Sequence, residues 1–282
     1  MRRPAQIISL TLMACVSALA AGECKFVKTA DWQVNASAEV LVVDGAINGS
    51  KLGVALDTGT NVSRIAGSAA DRLGLVRRDA GGLYTLSSGG NAVDANSIRE
   101  FQVGGSKLKD WGKLIVEGAE GSDYAVVLGY DFFQQVDVEF DLAHNAVRLF
   151  QPQGCGDVSL AYWAPRGASR AALERDAQRP AILVPVMLND KPALAALSTG
   201  SAKSIVSDAF PRLDTFAVGD ERIRDPALRS ANIGLRDMVL GLDFLRAHRV
   251  LVANSQRRIY FTYTGGRVFG NNGQNLALRA PN

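Results

Sequence analysis

The sequence contains few of the residues from which most metal centres and nucleophile triads are built. It has three cysteines and only two histidines, His144 and His248, which lie far apart along the chain. Neither histidine has another ligand at a metal-binding spacing, so we expect no metal and no cofactor. No G-x-S-x-G turn and no phosphate-binding glycine loop occurs. We expect both histidines on the surface, which leaves a serine–histidine triad without a base.

The sequence also lacks long charged or apolar tracts. Its net charge is +3, and the basic pairs Arg77-Arg78 and Arg257-Arg258 are isolated. A nucleic-acid partner requires a basic stripe along one face, so we expect no nucleic-acid binding. Beyond the N-terminal segment, no apolar run reaches the roughly 20 residues of a transmembrane helix, and we expect no transmembrane span.

The N-terminal segment has the three parts of a secretory signal. Arg2-Arg3 supplies the positive charge, residues 7–16 form a short apolar stretch, and Ala18-Leu19-Ala20 fits a cleavage site. The pattern predicts a signal peptide over residues 1–20 and export to the periplasm or the medium. An alternative is a lipoprotein signal, in which Cys15 carries a lipid anchor.

Export gives the remaining cysteines a simple interpretation. Cleavage after Ala20 leaves Cys24 and Cys155. An even number of cysteines in an oxidising compartment predicts one disulfide, Cys24–Cys155. The alternative is a pair of buried free thiols.

An internal repeat organises the rest of the chain. Three blocks recur in the same order and without gaps: 40–65 with 181–206, 101–110 with 216–225, and 127–150 with 239–262. Three blocks in register indicate a duplicated lobe. We place the first lobe at residues 24–155, a linker at 156–179, the second lobe at 180–269 and a tail at 270–282.

Each lobe reads as a series of short β-strands. Apolar runs bounded by Gly, Asn and Asp turns predict strands throughout. Helices are predicted at residues 67–75 and, in the linker, at 169–178. The chain runs 44 positions from Asp57 to Phe101 but only 18 between the equivalent Ser198 and Phe216. The second lobe therefore lacks a glycine-tipped hairpin.

The first block carries a reactive motif that the second block has lost. An apolar strand runs into Asp57-Thr58-Gly59-Thr60, and the repeat has Ser198-Thr199-Gly200-Ser201 at the same place. The later segment "VVLGYDFF" contains an apolar-apolar-Gly motif, which the second lobe repeats. We interpret Asp131 and Asp243, just after that motif, as helix-capping residues.

In these motifs the chain resembles the aspartic proteases, specifically exported bacterial relatives of the retroviral-type enzymes. The resemblance implies a bilobal, all-β, pepsin-like acid-protease fold made of two duplicated β-barrel-like lobes. It implies that Asp57 is catalytic, that Thr58, Gly59 and Thr60 support it, and that an extended peptide or protein is the substrate or ligand. It also implies a flap over the cleft, which we place at Ser87, Ser88, Gly89 and Gly90.

The sequence departs from the family pattern at the second catalytic position. Two carboxylates close together share one proton and so divide the acid and base roles. Ser198 cannot share that proton, although Thr199, Gly200 and Ser201 retain the loop. Two hypotheses follow. The chain is an aspartic-type endopeptidase of weak or conditional activity, or it is an inactive pseudoprotease that binds extended peptides or scaffolds an envelope protein.

Overall fold

The computed structural model describes residues 23–80, 92–109, 111–119, 121, 123–176, 180–269 and 278–279. These residues form mainly β-strands arranged in three sheets, and the predicted bilobal all-β architecture is confirmed. The proposed signal segment at 1–20, including Cys15, lies outside the described residues. No helix in the described ranges is long and apolar enough to cross a membrane.

The elements follow one another in this order. The strands of the first half are β1 (Lys25–Gln33), β2 (Val42–Ile47), β3 (Ser50–Leu56), β4 (Arg64–Ile65), β5 (Val76–Asp79), β6 (Val93–Asn96), β7 (Phe101–Val103), β8 (Ser106–Leu108), β9 (Leu114–Val116), β10 (Val126–Leu128), β11 (Asp137–Asp141) and β12 (Ala146–Gln153). Those of the second half are β13 (Ser169–Ala172), β14 (Leu183–Leu188), β15 (Lys191–Leu197), β16 (Ile205–Ser207), β17 (Thr215–Val218), β18 (Glu221–Arg224), β19 (Arg229–Ala231), β20 (Met238–Leu240), β21 (His248–Ala253), β22 (Arg258–Tyr263) and β23 (Leu278–Arg279). The helices are α1 (Gly67–Arg72), α2 (Tyr130–Phe133) and α3 (Leu242–Ala247), with 3₁₀ turns at Leu142–His144 and Asn254–Gln256.

Each lobe is built on one large sheet, and the two sheets share their strand order. The first lobe has the order β5-β6-β9-β4-β10-β3-β2-β7-β8. The second has β19-β16-β20-β15-β14-β17-β18-β23. In both, the strand before the D-T-G or S-T-G loop pairs antiparallel with its predecessor and parallel with the strand of the apolar-Gly motif. The duplication seen in the sequence is therefore a duplication of topology.

The leading hairpin of each lobe is closed by a tight turn that its residues favour. Asn48 and Gly49 adopt φ values of 49° and 84° between β2 and β3. Asn189 and Asp190 adopt 50° and 60° between β14 and β15. Two-residue hairpin turns of type I′ have positive φ at both positions, which Asn, Asp and Gly tolerate best. These turns fix the register of the strands that lead into the two loops.

A third sheet joins the lobes, with the order β1-β12-β11-β21-β22-β13. Its centre is the antiparallel pair β11–β21, in which Glu139 lies opposite Leu251. Those two residues are equivalent positions of the repeat, so a local two-fold axis passes between them. One face of this sheet packs against a core that continues through both lobes. The segment around Leu160 and Ala161 covers the other face.

The disulfide between Cys24 and Cys155 is confirmed. It joins the start of β1 to the end of β12, just beyond the pairing of Lys25 with Gln153. Because the two cysteines are 131 positions apart, the bond closes a loop that contains the whole first lobe.

Helix α1 agrees with the prediction, whereas the helix predicted over residues 169–178 is wrong. Residues Ser169–Ala172 form β13, an edge strand paired antiparallel with β22, and Glu174 makes an isolated bridge to Leu183. Helix propensity is a weak preference, and here pairing with an available sheet edge outweighs it. The lobe and linker boundaries stay predictions.

Candidate active site

Asp57 is held at the end of β3 by backbone hydrogen bonds. Its amide donates to the Leu128 carbonyl at 2.9 Å, and the Thr60 amide donates to the Asp57 carbonyl at 3.2 Å. The Gly59 amide donates to Asp57 Oδ1, also at 2.9 Å. The loop therefore fixes the carboxylate in one orientation.

The two loops interlock through Thr58 and Thr199, which are both fully buried. The Thr58 hydroxyl donates to the Leu197 carbonyl at 2.8 Å, and the Thr199 hydroxyl donates to the Leu56 carbonyl at 2.8 Å. Each hydroxyl also accepts from the opposite threonine's amide, at 3.0 Å in one direction and 3.1 Å in the other. These four reciprocal bonds place the end of β3 beside the end of β15.

Ser198 occupies the position across the two-fold axis from Asp57. Its amide donates to the Leu240 carbonyl at 2.8 Å, which repeats the bond made by the Asp57 amide. Its hydroxyl donates to Asp57 Oδ1 at 3.5 Å, a long and weak contact. The backbone of the second loop is thus intact, and the change at Ser198 is confined to the functional group.

The loops approach so closely that only glycine fits at two positions. A Cβ atom at Gly200 would lie 2.3 Å from the Asp57 carboxyl carbon, and one at Gly59 would lie 2.2 Å from the Ser198 hydroxyl oxygen. Either side chain would displace the groups at the centre of the site.

Beneath each loop lies a serine–aspartate pair, partly buried in the first lobe and buried in the second, which the sequence analysis did not identify. The Ser63 hydroxyl donates to Asp131 at 2.7 Å and accepts from the Gly129 amide at 2.8 Å. In the second lobe Ser204 donates to Asp243 at 2.6 Å and accepts from the Gly241 amide at 2.9 Å.

The interpretation of Asp131 and Asp243 as helix-capping residues is wrong, because both lie inside their short helices, whose N-cap residues are Gly129 and Gly241. Each aspartate accepts the amide of the next residue, and its main role is to fasten the apolar-Gly motif to the loop above it. Ser63 and Ser204 are equivalent in the ungapped repeat, and this recurrence could have identified the two pairs from the sequence.

Comparison with known proteins agrees with this arrangement. Residues 43–135, which include Asp57 and the first apolar-Gly motif, match the family model described as "gag-polyprotein putative aspartyl protease". This part of the chain is therefore similar to the retroviral-type aspartic proteases.

A solved aspartic proteinase from Irpex lacteus has the same fold, with a TM-score of 0.51 and 11% sequence identity. That match covers 83% of this chain and 97% of the proteinase. No curated protein matches the sequence.

The aspartic protease flap was predicted at Ser87, Ser88, Gly89 and Gly90, and these residues lie outside the described ranges. The base of the predicted hairpin is described: β5 pairs antiparallel with β6, and the Ala80 amide donates to the Ala92 carbonyl at 3.0 Å.

The two loops differ in the residue after the glycine. Thr60 accepts a hydrogen bond from the Arg64 guanidinium at 2.8 Å. Ser201 instead donates to the Lys203 carbonyl at 2.7 Å within its own loop. Within the described part of the chain, no carboxylate bonds to Asp57, and no group of three or more His, Cys, Asp or Glu residues could hold a metal ion.

The prediction that both histidines are at the surface is right for His144 and wrong for His248. The His144 side chain is 69% exposed and lies 2.7 Å from Asp141. His248 is buried: Nδ1 lies 2.8 Å from the Phe244 carbonyl, and Nε2 lies 3.0 Å from a Glu221 oxygen. Glu221 is itself buried. Because its carboxylate provides a hydrogen-bonding partner for the imidazole, the polar ring can be buried although it lies in a segment that suggested the surface.

Proposed function

We propose that the protein is an aspartic-type endopeptidase of low activity, in which one carboxylate performs the proton transfers. The observation that carries this proposal is the intact interlock of Thr58 and Thr199, with Asp57 ordered at its centre.

Asp57 is suited to act as a general base. Its carboxylate takes a proton from a water molecule as the water oxygen attacks the carbonyl carbon of an extended peptide. The resulting carboxylic acid then returns that proton to the leaving amine, and the C–N bond breaks. Among the described residues, the Ser198 hydroxyl lies beside Asp57 and can donate to the charge on the former carbonyl oxygen. General acid or base catalysis contributes about 10²–10⁴-fold, and the chain lacks the acid partner of a full dyad.

A second candidate is peptide binding without hydrolysis, and Ser198 favours it. The interlocked loops and the flap hairpin base would still hold an extended peptide. A neutral hydroxyl in place of a carboxylic acid removes the group that would protonate the substrate carbonyl.

Cleavage of a mixed peptide library from acid to neutral pH tests the proposal. Wild type, Asp57→Asn and Ser198→Asp are compared, with thermal melting of each variant as the folding control. We expect slow cleavage by wild type, none by Asp57→Asn, and an increase of about 10²–10⁴-fold in Ser198→Asp. Cleavage that survives Asp57→Asn would overturn the proposal. Cleavage by Ser198→Asp alone would select the peptide-binding function instead.

We also propose that the protein is exported. The Cys24–Cys155 disulfide supports this, because stable disulfides belong mainly to oxidising compartments. Mass spectrometry of the mature N-terminus after cell fractionation tests it. A chain that begins just after Ala20 supports signal cleavage, a lipidated Cys15 supports the anchored form, and an intact Met1 in the cytoplasm contradicts both.

A further inference from the structure

The second lobe lacks the hairpin that covers one edge of the first lobe's sheet. In the first lobe β9 pairs on one side with β4 and on the other with β6. In the second lobe the equivalent strand, β19, pairs with β16. Among the described residues no strand pairs with its other side, and β19 ends the sheet. The missing residues of the repeat thus correspond to a missing strand.

The edge of β19 opposite β16, which no described strand pairs, carries identifiable backbone groups. The Ala231 carbonyl accepts from the Asp208 amide at 3.2 Å, so the backbone groups of Ala231 face β16. Successive residues of a strand point their backbone groups to opposite sides. The N–H and C=O of Ser230 therefore point away from β16. They hold the place of the β9 groups that face β6 in the first lobe.

The edge strand β19 itself carries one charged side chain, Arg229, and a second arginine, Arg236, follows it. Acidic residues lie at the margins of the edge: Asp225 and Asp237 flank the segment, and Asp208 is bonded through its amide to Ala231. The Asp237 carboxylate already accepts a hydrogen bond from the Leu194 amide. Arg229 is exposed on β19, and Arg236 is partly exposed on the segment that follows. Within the described ranges neither guanidinium pairs with a carboxylate.

A charged side chain on an edge strand disfavours pairing of like edges. Two copies of β19 would bring two Arg229 side chains into one three-residue contact, where like charges are destabilising. The same charge favours a partner of opposite sign.

We propose that an acidic, extended peptide segment of another protein adds to β19 as an antiparallel strand, at the position that β6 takes in the first lobe. Backbone bonds to Ser230 supply register, as in other cases of β-strand addition. Arg229 and Arg236 select carboxylate side chains. This binding needs neither the Asp57 carboxylate nor cleavage of the peptide, so it goes beyond the proposed catalytic function.

Two synthetic probes test the proposal on full-length mature protein carrying Asp57→Asn, which prevents hydrolysis. One probe alternates valine with glutamate and the other alternates valine with lysine, so that they differ only in charge. Binding is measured by fluorescence anisotropy, and amide hydrogen exchange is followed at Ser230. We expect the acidic probe to bind about tenfold or more tightly than the basic one and to protect the Ser230 amide.

Two variants separate strand addition from general charge attraction. Ser230→Pro removes the outward N–H and leaves the bonds to β16, a position that proline tolerates on edge strands. We expect it to weaken the acidic probe by about tenfold. If that variant melts below the parent, Arg229→Glu serves instead, and its preference should shift toward the lysine probe.

Four outcomes would overturn the proposal. The first is that the Ser230 amide stays unprotected at a saturating concentration of the acidic probe, and the second is that the two probes bind equally. The third is that a well-folded Ser230→Pro variant binds the acidic probe as tightly as the parent. The fourth is that Ser230 is protected without any probe, because the chain associates with itself. The last would assign the edge to a second copy.

Discussion

Removing one hydroxyl from the interlock tests how far the site holds the two lobes together. In Thr199→Val the side chain keeps its shape but loses its hydroxyl. The Leu56 carbonyl then loses a donor at 2.8 Å, and the Thr58 amide loses an acceptor at 3.0 Å. Both groups lie where Thr199 is fully buried, so water does not easily replace the lost partner.

Each buried group left unsatisfied costs about 1–3 kcal/mol. We therefore predict that Thr199→Val lowers the free energy of unfolding by about 2–6 kcal/mol, measured by urea unfolding. The matched control is Thr199→Ser, which keeps the hydroxyl and loses a methyl group, at a cost of about 1 kcal/mol.

The reciprocal variant Thr58→Val should behave in the same way. It removes two different bonds of the interlock. The double variant should lose less unfolding free energy than the sum of the two single losses, because the effects of substitutions at contacting residues are not additive. A loss below about 1 kcal/mol for Thr199→Val, with an unchanged dependence on urea, would refute the reasoning. It would mean that the shared sheet alone holds the lobes in place.

Three further predictions concern stability away from the catalytic group. Replacing Cys24 and Cys155 together by serine should lower the free energy of unfolding by about 2–5 kcal/mol, and an unchanged urea midpoint would contradict this. Burial raises the pKa of the Asp137 carboxyl above its ordinary value. Its contribution to stability should therefore be complete below about pH 3.9 and lost as the pH rises through the pKa of the folded state. Asp137→Asn should lessen this decline when the free energy of unfolding is measured across the acid range. The same dependence on pH in wild type and variant would argue against it. Ser204→Ala leaves a buried amide without its acceptor and should cost about 1–3 kcal/mol in thermal unfolding, against less than about 0.5 kcal/mol for Ser201→Ala, and equal losses would exclude the proposed role.

The repeat made much of the site predictable from sequence. An ungapped alignment places Ser198 opposite Asp57 and puts each in a loop after an apolar strand, and both placements hold. The disulfide followed from the number of cysteines and the predicted export, without any knowledge of strand pairing. These features depend on residues near in sequence or on the duplication itself.

Contacts between distant elements were harder to predict. His248 is buried because Glu221, on another strand, lies against its ring, and nothing local indicates that partner. The residues around Ala171 have a local preference for helix, but they form a strand because they pair with the edge of β22. The pattern of a single sequence reports local conformational preference and the spacing of apolar residues. The positions of His248 and Ala171 depend instead on contacts with residues far away in the sequence.

The strand pair at the centre of the shared sheet, β11 and β21, also affects which lobes can pair with each other. Glu139 and Leu251 are equivalent residues that face each other across the local two-fold axis. Two first lobes joined in the same way would set one Glu139 against another, and each would be fully buried. Such a pair would also lose Arg249, the second-lobe guanidinium that reaches Glu139 at 3.1 Å.

Each Glu139 would keep the Arg148 guanidinium of its own lobe at 2.6 Å, but two buried carboxylates facing each other repel. An assembly that paired two first lobes about this axis, and so brought two copies of Asp57 together, would carry this penalty. Glu139 on the axis thus favours the pairing of a first lobe with a second lobe, which sets one Asp57 against one Ser198.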